Sequence, residues 1–116
     1  MKAQKKYSLF IGRWQPWHAG HRWLIDQQLE KGKNVCIAIR DMPKDKNNPY
    51  SPSEIMNNLH DKLRDLIDAK RVKVIVIPDI ESINYGRGVG YEIIEHVPPK
   101  NIKEISATKI REKMNE

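Results

Sequence analysis

The chain carries a single cysteine, Cys36, so neither an intramolecular disulfide nor a cysteine-built zinc ribbon can hold it together. No apolar run approaches the roughly 20 residues that span a bilayer. The first apolar run, residues 7–11, ends in Gly12-Arg13 and is too short for a signal-peptide core. No Walker A sequence and no His-Glu-x-x-His is present, which excludes the P-loop and the zincin readings. His60 and His96 have no partner in the sequence and are expected on the surface. No repeat, low-complexity segment or linker interrupts the 116 residues. One domain over 1–116 is expected, cytoplasmic and without a membrane partner.

Hydrophobic residues make up 39% and charged residues 31%, the balance of a folded domain rather than a disordered one. Lys and Arg number 21 against 15 Asp and Glu, a net charge of +6. A basic domain can bind nucleic acid, an anionic membrane surface or small phosphorylated ligands. The basic residues are scattered, with small clusters at 2–6, 44–46 and 109–113, so net charge alone selects none of these.

Periodicity predicts a strand over 7–11, then a helix carrying Trp23, Leu24, Ile25 and Leu29 on one side and stopping near Gly32. Residues 35–39 form an unbroken apolar run, suited to a parallel strand covered on both faces. Ser51-Pro52-Ser53-Glu54 announces the next helix, with Ser51 as N-cap, Pro52 in the first helical position and Glu54 as capping-box partner. Its apolar stripe, Ile55, Leu59, Leu63, Leu66 and Ile67, runs to about Ala69. A third strand is expected over 72–77, a further one over 91–97, and a closing helix over 106–115. Strand–helix–strand–helix–strand is the pattern of a parallel sheet with right-handed crossovers, whose ligands sit beyond the carboxyl ends of the strands.

Two segments there carry chemistry. In Gly12-Arg13-Trp14-Gln15-Pro16-Trp17-His18-Ala19-Gly20-His21, His18 and His21 stand three apart, on one helix face if the helix has begun by His18. An isolated His-x-x-His is more often structural, or a chance metal pair. Placed after a strand and a glycine, at a helix N-terminus, the pair becomes a receptor for phosphate oxygens. In Ile105-Ser106-Ala107-Thr108-Lys109-Ile110-Arg111, cationic Lys109 and Arg111 oppose the dipole at a helix start, which costs stability unless an anion sits there. The hydroxyls of Ser106 and Thr108 add donors, so the segment reads as a polyphosphate clamp, or else as an ordinary basic terminal helix.

Together the two segments resemble the nucleotidyltransferase superfamily of α/β phosphodiesterases, which includes nicotinamide-mononucleotide adenylyltransferases and cytidylyltransferases. The superfamily's His-x-Gly-His falls on His18, Gly20 and His21, and its Ile-Ser-[Ser/Thr/Ala]-Thr-x-Ile-Arg on Ile105 to Arg111. Gly12-Arg13-Trp14-Gln15-Pro16-Trp17-His18 is similar to the adenylyltransferases' Gly-Arg-Phe-Gln-Pro-Phe-His. Asn48-Pro49-Tyr50-Ser51 is similar to their Asn-Pro-Phe-Thr. Cytidylyltransferases more often show Gly-Thr-Phe-Asp at the first place. The chain departs from the pattern at Glu54-Ile55, where the superfamily often has Glu-Arg. A strand and helix of larger members are compressed into the segment around Tyr85, Gly86, Arg87, Gly88 and Gly90.

The resemblance implies a compact, Rossmann-like, three-layer α/β fold with a mainly parallel sheet, shortened relative to larger members. It implies transfer of a nucleoside monophosphate, AMP favoured, from ATP or CTP with Mg2+ to an anionic small-molecule acceptor, releasing pyrophosphate. His18, His21 and Arg111 would be catalytic. Gly12, Arg13, Gly20, Ser106, Thr108 and Lys109 would join them in holding the nucleotide, and Lys44, Lys46, Tyr85 and Arg87 would meet the acceptor. Mg2+ would ride on the triphosphate, with no protein side chain assigned to it. A cytidylyltransferase using CTP is one alternative; a catalytically inactive nucleotide- or nucleic-acid-binding module of the same fold is another. Nucleic acid is the less favoured partner, and a homo-oligomer is compatible with so small a core.

Overall fold

In a computed structural model of the chain, residues 5–87, 90–105 and 110–111 are described. The elements run β1 (Tyr7–Gly12), α1 (Ala19–Leu29), β2 (Asn34–Asp41), α2 (Pro52–Lys62), α3 (Arg64–Asp68), β3 (Val72–Pro78) and α4 (Lys100–Lys103). The described strands form one sheet in the order β1-β2-β3, and both pairings are parallel. Parallel neighbours cannot be joined by a hairpin, so α1 carries the chain from β1 to β2 and α2–α3 from β2 to β3. This is the α/β, Rossmann-like architecture that the sequence pattern implies.

The central strand explains the core. Residues 35–39 of β2 are all buried, as an apolar run without alternation requires. Ile37 stands opposite Phe10 on one neighbour and Val74 on the other. Val35, Ile37 and Ile39 form one cluster with Ile25 and Leu29 of α1, Ile55 and Leu59 of α2, and Leu63. Each such side chain taken fully out of water contributes about 1.5–3 kcal/mol.

The helix ends follow local chemistry. The Oγ of Ser51 accepts from the Glu54 N–H at 3.2 Å, while the Glu54 Oε1 accepts from the Ser51 N–H at 3.2 Å, the reciprocal cap that the sequence announces. Gly32 takes φ +77 just past α1, where a Cβ would be strained.

Three expectations need correction. The stripe from Ile55 to Ile67 does not lie on one helix: it breaks at Leu63, whose φ of −117 and ψ of 22 separate α2 from α3. Leu63 is buried, and Leu66 and Ile67 still pack against the core, so the apolar spacing persists through the break. Residues 91–97 form no strand; 91–95 are exposed, Ile93 at 71%, and a strand there would need a ladder partner for its backbone groups. His96, which sequence alone places on the surface, is half-buried and stacks on Phe10 at 6.0 Å between ring centroids. The short α4, begun by Pro99 at the N-cap position, was not legible from periodicity. Of the closing helix expected over 106–115, only Ile110 and Arg111 lie among the described residues, and both are helical. Among the described residues no helix is long and apolar enough to cross a membrane.

Candidate functional site

The carboxyl end of β1 runs into a short loop and then the N-terminus of α1. His18 is the N-cap of that helix, in extended backbone with φ −144 and ψ 177. Its Nδ1 accepts from the Gly20 N–H at 3.0 Å, and the Nδ1 of His21 accepts from the His18 N–H at 3.1 Å. Two imidazoles thus do the work that Ser and Glu do at α2. The two rings stack with centroids 3.6 Å apart and planes at 19°.

This cap fixes the tautomers. A neutral imidazole that accepts at Nδ1 carries its proton on Nε2, so each ring keeps one N–H donor unused by the cap. Burial pushes the pKa of His18 down. Burial, and then the neighbouring His18, push that of His21 down to about 3. At neutral pH the pair is therefore two uncharged donors beside the positive end of a helix dipole. Gly20 is required here by space: a Cβ would lie 2.9 Å from Cε1 of His18.

The loop before the pair is tied on three sides. The Trp14 Nε1–H donates to the carbonyl of Ala38 on β2 at 3.1 Å. The Gln15 side chain donates to the Tyr50 carbonyl at 2.8 Å and accepts from the Tyr50 N–H at 3.0 Å, joining the loop to the residue before the α2 cap. The Gln15–Pro16 peptide bond is cis. From the far end of the chain, buried Arg111 donates through Nη1 to the backbone oxygen of Gln15. The chain returns there by way of α4, which packs on α1 and brings the Ile102 carbonyl within 3.8 Å of where a Gly20 Cβ would stand.

The structure thus brings Gly12, Arg13, His18, Gly20, His21 and Arg111 to one corner. Ser106, Thr108 and Lys109 lie outside the described residues. Arg13 reaches Asn48 Oδ1 at 3.5 Å, and Asn48 is itself held by three-way bonding of the Asp45 carboxylate to the N–H groups of Asn47 and Asn48 and the Asn48 amide. Those bonds, the Asn48 side chain first, keep the Asp45 carboxyl below its ordinary pKa. Lys44 is ion-paired with Glu54 at 2.9 Å, at the start of α2, and Lys46 is exposed. Tyr85 and Arg87 lie in the exposed stretch 81–87, where Tyr85 meets Tyr91 with ring centroids 6.3 Å apart. Among the described residues no group of three or more His, Cys, Asp or Glu could hold a metal ion.

Trp14, Gln15, Asn48 and Tyr50 build this corner without having been singled out as site residues. The signal was present, because all four fall in the two stretches similar to adenylyltransferase motifs. What the spacing could not show is that Gln15 bonds to Tyr50, Arg13 to Asn48 and Trp14 to Ala38.

Comparison with known proteins supplies the family. Residues 9–94 match the family model described as cytidylyltransferase-like. A nicotinamide-nucleotide adenylyltransferase of Saccharolobus solfataricus is 31% identical over 75 residues, covering 62% of this chain and 44% of that protein. One from Caldivirga maquilingensis is 34% identical over 77 residues, covering 64% and 43%. The matched stretch therefore spans less than half the length of those relatives. A His-capped helix after the first strand of a parallel sheet, and a family match running through that strand and helix and on past β3, lead to one conclusion: the chain belongs to the cytidylyltransferase-like family.

Proposed function

We propose that the chain is a nucleotidyltransferase that moves a nucleoside monophosphate, with AMP favoured, from a Mg2+-bound triphosphate to an anionic small-molecule acceptor. The observation that carries this reading is the reciprocal His18–His21 cap, which leaves two neutral Nε2–H donors at the start of α1. An acceptor phosphate is already anionic at neutral pH and needs no general base. Its oxygen forms a bond to the α-phosphorus while the bond from that phosphorus to the β-bridging oxygen breaks, and pyrophosphate leaves with the electron pair.

The work left to the protein is positioning and neutralising charge that develops on the α-phosphate and the leaving group. His18 and His21 would donate to α- and β-phosphate oxygens, His21 nearer the transition-state charge. Arg111 would add a positive charge to the β- and γ-phosphates, with Ser106, Thr108 and Lys109 beside it. Arg13 would steer phosphate from the loop after β1. The acceptor would be met by Lys44, Lys46, Tyr85 and Arg87. AMP is favoured over CMP because both named relatives are nicotinamide-nucleotide adenylyltransferases.

Calorimetric titration with ATP and with CTP, each with Mg2+, tests this without knowing the acceptor. Tighter binding of ATP, weakened in His21→Ala, supports adenylyl transfer and justifies an acceptor screen by pyrophosphate release. Tighter binding of CTP supports the cytidylyl alternative. Binding of neither overturns the reading for this chain.

A further inference from the structure

Trp14 lies between the sheet and His21, and its geometry is over-determined. Its backbone takes φ +55, a left-handed conformation that bulky residues adopt only when their surroundings hold them there. Its indole is buried, at 4% exposure, and Nε1–H is fixed to Ala38 on the central strand. Its ring stands against His21 with centroids 4.9 Å apart and planes at 85°. Trp17 lies against His21 at 5.3 Å between ring centroids, and His18 stacks on it at 3.6 Å. Gly12 leaves room for this arrangement, since a Cβ there would lie 3.0 Å from indole carbons Cε2 and Cζ2.

The similar adenylyltransferase motif has Phe where this chain has Trp14. A phenyl ring fills space but donates no hydrogen bond, so the tether to Ala38 belongs to this chain's own sequence. The bond from the His18 N–H fixes one atom of the His21 ring, and a ring held at one atom still pivots. Transition-state donors must be held within about 10–20° of their working direction.

We propose that Trp14 is a positioning residue for His21: anchored to Ala38, the indole keeps the His21 ring with Nδ1 on the His18 N–H and its Nε2–H available to an anion. Its consequence for turnover rests on the nucleotidyltransferase reading; its structural content does not.

Long-range proton–nitrogen NMR spectra of the imidazoles test it, with the His21 signals assigned through His21→Gln. In wild type, His21 shows the Nε2–H tautomer. Trp14→Ala should move its nitrogen shifts towards the tautomer average and raise its titration midpoint by about one unit or more. Trp14→Phe, which keeps a ring and loses the donor, should show the tautomer change in part. Its kcat should fall about tenfold with KM for the triphosphate nearly unmoved. Gly12→Ala, which pushes on the indole at Cε2 and Cζ2, should move the His21 signals in the same direction. A purely structural Trp14 would lower Tm in these variants and leave the His21 tautomer and titration of the folded protein unchanged, and that result overturns the proposal. If Trp14→Ala does not fold, unchanged His21 signals in both Trp14→Phe and Gly12→Ala overturn it equally. Should wild type bind no triphosphate, the proposed reaction fails while the NMR comparison still decides the role of Trp14.

Discussion

The loop between β1 and α1 and the stretch after β3 both leave the carboxyl edge of the same sheet, yet they are built in opposite ways. In the first, Trp14 and Gln15 are buried, and side chains bond to backbone on β2, before α2 and within α1. In the second, Arg40 grips Asp79 at 2.7 Å and the Ile80 carbonyl at 3.2 Å, and beyond that point Ile83, Tyr85, Tyr91, Ile93, Ile94 and Val97 are exposed. A phosphate group looks the same in every nucleotide, and main-chain amides, a helix end and two capped imidazoles suffice to meet it. An acceptor must be told apart from other anions by side chains in defined places, and among the described residues the exposed stretch holds Tyr85 and Tyr91 against each other and His96 against Phe10. Under the proposed function, the first region would be the phosphate-binding corner and the second the place where acceptor specificity would be assembled.

This contrast can be broken by experiment. The largest difference is in packing. Ile37→Ala, in the middle of β2, should cost about 2–5 kcal/mol of unfolding free energy, while Ile93→Ala in the exposed stretch should stay within about 0.5 kcal/mol. Comparable losses in denaturant titrations would show that residues 91–97 are packed after all. Next comes chemistry: His21→Ala should lower turnover by about 100-fold or more. Its cost in stability should be about 1 kcal/mol, for one bond of the α1 cap. Unchanged pyrophosphate release would remove His21 from the reaction.

A smaller effect separates two glycines. Gly20→Ala drives a methyl into the His18 ring and should weaken triphosphate binding about tenfold, the equivalent of one displaced hydrogen-bonded group. Gly86→Ala meets nothing within 4 Å and should leave that binding unchanged in the same titration. A separate effect is on pH dependence. His21 titrates near 3 when folded and near 6.5 when unfolded, so the unfolded chain takes up a proton first as pH falls. Stability is whole above the unfolded value and is lost as pH drops from there towards the folded one. Between about pH 7 and about pH 5, Tm of wild type should thus fall further than Tm of His21→Gln. Parallel Tm curves would mean that His21 is not held neutral.

The sequence by itself determined the strand–helix–strand–helix–strand order from β1 to β3, the central strand and the pairing of His18 with His21 at the start of α1. An apolar run without alternation has no stable place except inside a sheet, and Ser51-Pro52-Ser53-Glu54 caps a helix through bonds that span three residues. His18 and His21 were legible for the same reason, since the geometry that pairs them is that of a single helical turn. Only the tertiary structure decided that the stripe from Ile55 to Ile67 breaks at Leu63, that residues 91–97 form no strand, and that Arg111 comes back to Gln15 across 96 positions. It alone showed the burial that pushes both imidazole pKa values down, and Trp14 anchored to Ala38. Capping and periodicity act within a few residues and leave their mark in spacing. Desolvation, ladder pairing and the meeting of distant side chains depend on what the rest of the chain puts beside each group, which no local pattern records.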